Sequence, residues 1–107
     1  MAAREKARAR VFRALGGEIR LRLVARLSSG RPRSIAELTA GSRLTRQAVT
    51  KHLHVLEGAG LVRSVRTGRE RRFEFDSEPI EELRKYLDSV SAQWDQALGR
   101  LKAFVER

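Results

Sequence analysis

Cysteine is absent from this chain. That removes disulfides, thiolate metal ligation and a cysteine nucleophile together, and it fits a cytoplasmic protein. No uninterrupted apolar run approaches the roughly 20 residues of a membrane span, so no membrane partner is expected. The opening MAAREKARARVF is basic but has neither an apolar core nor a cleavage signature, and it is not read as a signal peptide. Only two histidines occur, His52 and His54. Spaced i, i+2 on a helix they point about 200° apart and cannot ligate one metal together, so no metal site is expected. A glycine-rich phosphate loop is missing, and Ser28, Ser29 and Ser34 have no motif that would activate a nucleophile. Asp88 and Asp95 lie seven apart on one predicted helix and read as a solvated face rather than an acid/base pair. Neither an enzyme nor a cofactor is expected. Internal repeats and low-complexity segments are lacking as well.

What the chain does have is positive charge, and the charge is localised. With 107 residues and 41% apolar content it supports one domain with a modest core. The formal net charge is +10, and residues 1–79 hold 18 of the 23 Lys and Arg against 8 of the 13 Asp and Glu. Residues 80–107 hold five of each and balance. A cationic front on a neutral tail matches a polyanion-binding face joined to an oligomerisation element, and nucleic acid is the leading partner.

The stretch Ser42 to Val62, SRLTRQAVTKHLHVLEGAGLV, organises the rest. Val49, Leu53 and Leu56 recur at four- and three-residue steps and share one helical face. Thr45 is placed to N-cap that helix, and Gly58 and Gly60 to stop it. The remaining face carries Arg46, Gln47, Thr50, Lys51 and His54, with no carboxylate before Glu57. Cations, an amide and a hydroxyl of this kind suit the major groove, where Arg and Lys read guanine and Gln reads adenine. His54 lies on this side and is a candidate DNA contact. His52 lies near the buried stripe and is expected to be a partly buried packing or backbone-bonding residue.

Before this stretch, residues 4–15 predict a first helix with Ala7, Val11 and Leu15 on one stripe and Phe12 beside it. Gly16-Gly17 breaks it. A second helix is predicted over 18–28, with Ile19, Leu23, Val24 and Leu27 inward and Arg20, Arg22 and Arg26 outward. Residues 29–32 read as a loop. Ser34 and Glu37 have capping-box spacing for a short third helix, which a turn at Gly41-Ser42-Arg43 joins to the organising helix. Two such helices form a helix-turn-helix, of which the second reads bases.

After Gly60 the period becomes strand-like. Residues 61–67 and 71–76 predict a hairpin that must lean on the helices through Leu61, Val62, Phe73 and Phe75. Arg66, Arg69 and Arg71 make its tip cationic and able to reach a phosphate backbone or minor groove, which is the behaviour of a wing. Pro79 then starts a last helix whose Leu83, Leu87, Val90, Trp94, Leu98, Leu101 and Val105 form a stripe of about 25 residues, roughly 38 Å. The preceding domain is too small to cover that length, although Ile80 to Leu87 can fold back on it. A second copy of the chain is the expected partner, with Trp94 as anchor.

This order of elements, together with Ala48 to Val62, resembles the ArsR family of bacterial winged-helix repressors. Phe12-Arg13-Ala14-Leu15-Gly16-Gly17-Glu18-Ile19-Arg20 is similar to that family's first-to-second helix junction, with Gly17-Glu18-Ile19 in place of the more usual Asp-Pro-Thr. Arg71 to Phe75 is similar to its second wing strand. The resemblance implies a fold that is mostly α with a two-stranded β wing, a winged helix-turn-helix with a long C-terminal dimerisation helix. It implies a single domain over 1–107, in which 18–78 bind DNA and 1–16 and 79–107 join a homodimer, bringing Val11 and Phe12 into the interface. It further implies a palindromic operator, repression by promoter occlusion, and base contacts from Thr45, Arg46, Gln47, Thr50 and Lys51. Positions where many members carry a metal-sensing cysteine pair look like Ser34 and Ala36 here, and the last helix has no histidine, so metal sensing is not carried over. Two rival readings use the same basic face: an architectural or RNA-binding protein without sequence readout, and a module whose arginines bind an acidic protein.

Overall fold

A pair of glycines and two short turns divide the helical half of the chain. In the computed structural model, which describes residues 2–107, α1 (Ala2–Leu15) is followed by α2 (Glu18–Ser28), and α3 (Ile35–Thr39) by α4 (Arg46–Gly58). α3 opens with a complete capping box. The Glu37 amide donates to Ser34 Oγ at 3.1 Å, and the Ser34 amide donates to Glu37 Oε1 at 3.4 Å. Thr45 caps α4 by accepting from the Ala48 amide at 3.1 Å. α4 ends in a Schellman motif: Leu61 N donates to Leu56 O and Gly60 N to Glu57 O, both at 3.0 Å. Gly60 supplies the left-handed residue that this motif requires, at φ +78°.

Val49, Leu53 and Leu56 of α4 have no exposed surface. Each contributes about 1.5–3 kcal/mol by leaving water. Around them pack Ala14, Leu23, Leu27 and Leu38 from the other helices, and Leu61, Val62 and Phe73 from the hairpin. Phe73 is the largest fully buried side chain. The hairpin thus leans on the helices as its alternation predicts, with Phe75 half-buried.

The hairpin consists of β2 (Val62–Thr67) and β3 (Glu70–Phe75), joined through Gly68 at φ +65°. A third strand, β1 (Arg33–Ser34), pairs antiparallel with β3 and gives the order β1-β3-β2. Sequence pattern does not reveal β1, because two residues are too few to show alternation and the N-cap of α3 overlies them. Its effect is to fasten the hairpin to the start of the helix-turn-helix.

α5 (Glu78–Val105) has 28 residues, a rod of about 42 Å. Ile80 and Leu83 anchor its start to the core, and Phe12 of α1 meets Tyr86 edge-on with ring centroids 6.4 Å apart. Beyond that the helix leaves the domain. The Cα radius of gyration is 18.5 Å and the long axis 69 Å, whereas a compact chain of this length has a radius near 13 Å. Trp94, Leu98, Leu101 and Val105 are all exposed, as are Leu87 and Phe12. Val90 is half-buried. Val11 departs from expectation. It lies in the chain's own core at 6% exposure and offers nothing to a partner, because α1 turns that side toward α4 and α5.

Candidate nucleic-acid interface

At 100° per residue, Arg46, Gln47, Thr50, Lys51 and His54 fall within about 140° of the α4 circumference, beside the buried stripe. Thr45, Arg46, Gln47, Lys51 and His54 are exposed, and Thr50 is half-buried. The Thr50 hydroxyl donates to Arg46 O at 2.7 Å, so toward a ligand it can only accept. Thr45 is the converse: its oxygen holds the Ala48 amide and its proton is free to donate. Glu57 is drawn off this face by accepting from Ser64 Oγ at 3.2 Å.

Ion pairing separates the arginines into two sets. Arg63 is paired with Glu74 and Asp76, Arg72 with Glu70 and Glu37, and Arg31 with Glu37. Among the described residues, Arg46, Lys51, Arg66, Arg69 and Arg71 have no carboxylate within 4.0 Å, and neither does Arg43 in the turn before α4. Arg43 lies three residues before Arg46, the first residue of α4.

On the hairpin, Arg66 stands directly opposite Arg71 in the β2–β3 register. Like charges so placed repel. Side chains alternate along a strand, so Arg66 and Arg71 project from the same face as Val62, Ser64 and Phe73, the face that packs on the helices. The wing therefore carries its free cations on the helical side of the sheet, beyond the end of the core, and Arg69 sits in the turn between them.

Glu37 binds this surface together from behind. Its carboxylate takes Arg31 at 3.0 Å, the Ser34 amide, and Arg72 of β3 at 3.7 Å. The Arg31 hydrogen bond and the Ser34 amide hold its pKa below the ordinary carboxylate value.

Two other predicted positions are differently occupied. Arg20 does not point outward: it is half-buried and donates to Ala14 O at 2.7 Å, Arg13 O at 3.3 Å and His52 Nδ1 at 3.3 Å. His52 is accordingly half-buried, as expected, but it is bonded to a guanidinium rather than to backbone. Among the described residues, no three His, Asp or Glu side chains gather as a metal-holding group, and no helix is long and apolar enough to cross a membrane.

Comparison with known proteins agrees with this geometry. A family model described as a helix-turn-helix domain matches residues 5–65, more than half of the chain. An uncharacterised HTH-type transcriptional regulator of Bacillus subtilis (strain 168), YuzN, is 41% identical, the match covering 70% of this chain and 88% of that one. Among solved structures, an ArsR-like transcriptional regulator from Rhodococcus sp. RHA1 superposes with a TM-score of 0.86 at 31% identity, covering 95% of each chain. A homodimeric winged helix-turn-helix DNA-binding domain from Mycobacterium bovis shares the fold at 23% identity, with a TM-score of 0.69 over 90% of this chain and 88% of that one. The chain belongs to the ArsR family of winged helix-turn-helix transcriptional regulators, DNA-binding proteins that are not enzymes.

Proposed function

We propose that this regulator is a homodimeric repressor that binds a palindromic operator and occludes a promoter. Residues 18–78 form the DNA-binding core, and the helices in 1–16 and 79–107 join the two copies. Thr45, Arg46, Gln47, Thr50, Lys51 and His54 face bases in the major groove, while Arg66, Arg69 and Arg71 of the wing lie on the backbone or in the minor groove. Phe12, Leu87, Val90, Trp94, Leu98, Leu101 and Val105 form the dimer contact. The M. bovis domain of the same fold is itself homodimeric, which supports a homodimer here. No metal enters this reading, since the chain has no cysteine to provide a thiolate.

The observation that carries the proposal is that the exposed polar face of α4 and the outer end of the wing both carry cations with no carboxylate within 4.0 Å, while Arg63 and Arg72 of the same hairpin are paired. Selection of genomic fragments by purified protein, followed by sequencing, tests it. The expected result is a shared inverted repeat with half-sites about one helical turn apart. Enrichment of fragments with no common sequence would overturn the specific reading and favour an architectural role.

A further inference from the structure

We propose that Arg20 and His52 form a clamp that sets the angle of the recognition helix α4 relative to α1. Both are positioning residues for base reading. The inference rests on α4 being the base-reading element.

Three observations carry it. The Arg20 guanidinium is divided between two elements: it donates to Ala14 O and Arg13 O, the last-turn carbonyls of α1, and to His52 Nδ1 on α4. Because guanidinium has no acceptor, the ring must accept at Nδ1 and carry its proton on Nε2. The contact therefore reaches from the last turn of α1 to the side of α4 turned away from its polar face. Second, room for the guanidinium is provided by Gly17. A Cβ at that position would lie 2.8 Å from Arg20 Cζ and 2.9 Å from one terminal nitrogen. Gly17 has φ −100°, which any residue adopts, so a side chain there would be opposed only by the flexible end of Arg20, which would have to shift. Third, α2 holds the other half of the helix-turn-helix in the same way: Arg26 donates to Leu38 O at 3.1 Å and Glu37 O at 3.3 Å, the carbonyls ending α3. α2 thus acts as a strut with one arginine on each helix of the reading unit. Only the Arg20 end also grips α1.

A dimeric reader needs its two recognition helices at one fixed separation and tilt, since the half-sites are a fixed distance apart. Loosening the clamp leaves every cation in place, so attraction to phosphates persists, but bidentate base contacts demand geometry and weaken. The probe is the duplex most enriched from genomic selection, compared at one salt concentration with a scrambled duplex of equal composition. His52→Leu removes the acceptor, His52→Gln restores one through its amide oxygen, and Gly17→Ala displaces Arg20 without touching α4. For His52→Leu and for Gly17→Ala, the ratio of selected to scrambled affinity is expected to fall about tenfold, the order of one base contact. Scrambled-duplex affinity should stay unchanged, His52→Gln should recover most of the ratio, and the double variant should lose no more than either single one. An unchanged ratio in the variants would overturn the clamp while leaving base reading intact. Equal weakening on both duplexes, or additive losses, would also overturn it and mark a stability effect instead. A wild-type ratio of one would overturn the base-reading assignment and the clamp with it. Should His52→Leu fold poorly by circular dichroism, Arg20→Lys, which keeps the charge but loses the fork between α1 and α4, decides on the same ratio.

Discussion

Replacing Trp94 with Glu is the most direct probe of the proposed assembly. The indole is 64% exposed and touches none of the chain's core residues, so the substitution should leave the winged-helix core intact. An aromatic side chain of this size buries up to about 250 Å². About 160 Å² of it therefore remains for a partner to cover, roughly 4 kcal/mol at 25 cal/mol/Å². Two copies of the helix contribute two such residues. Even if only half of that area is covered, the total lost is about 4 kcal/mol, and a dimer dissociation constant should rise about a thousandfold. Burying a carboxylate in the seam adds to the loss. Sedimentation velocity over a wide concentration range reads this directly, with Trp94→Phe as the control expected to lose far less. A Trp94→Glu protein that remains dimeric with unchanged affinity would refute the reasoning from the exposed stripe.

Gln47→Ala or Arg46→Ala is expected to flatten preference among operator variants, whereas Arg69→Ala should weaken binding to every duplex alike. In a dimer, Arg69→Ala removes two phosphate neutralisations and should reduce the slope of log K against log salt by about 1.8; a salt titration by fluorescence anisotropy checks both. Thr45→Ala deletes the cap of α4 and should cost about 1 kcal/mol, lowering the melting temperature by about 4–8 °C, as scanning calorimetry would measure. Glu37 has a folded-state pKa held below its ordinary value of 4.5, so near that pH the unfolded chain binds the proton more readily. Its contribution to stability is complete above that value and is lost as pH falls through the folded-state pKa. Glu37→Gln should therefore flatten the acid limb of a stability-versus-pH curve measured by urea titration, and an unchanged limb would count against the Glu37 cluster.

Much of this architecture was legible in the residues because local signals agreed with tertiary ones. The capping box at Ser34 and Glu37, the cap at Thr45 and the glycine stop at Gly60 all form as their spacing implies. The stripe at Val49, Leu53 and Leu56 is buried, and the exposed overhang of α5 follows from a stripe longer than the domain. What escaped the sequence depends on contacts between distant positions. β1 exists only because β3 lies beside it. Arg20 looked like one more outward arginine, since no periodic argument can show a guanidinium folding back over a glycine onto a histidine 32 positions away. The family resemblance brings Val11 to a partner, whereas here it is buried in the chain's own core, because the pattern of a short, basic α1 does not separate a face turned to α4 from one turned to a second copy. The free and the neutralised arginines are likewise indistinguishable in composition. Register alone sets Arg63 against Glu74 and Arg66 against Arg71.

That last opposition gives ionic strength two contrary effects on the same protein. In the free chain, added salt shields Arg66 from Arg71 and relaxes the outer rungs of the hairpin, since at 0.1 M the screening length is about 10 Å. In the proposed complex, the same ions would compete with the wing for phosphates and loosen the grip. A duplex threading past the tip does for the free protein what salt does, supplying the missing counter-charge. On the proposed mode of binding, the hairpin's outer end would be best ordered when a duplex occupies it.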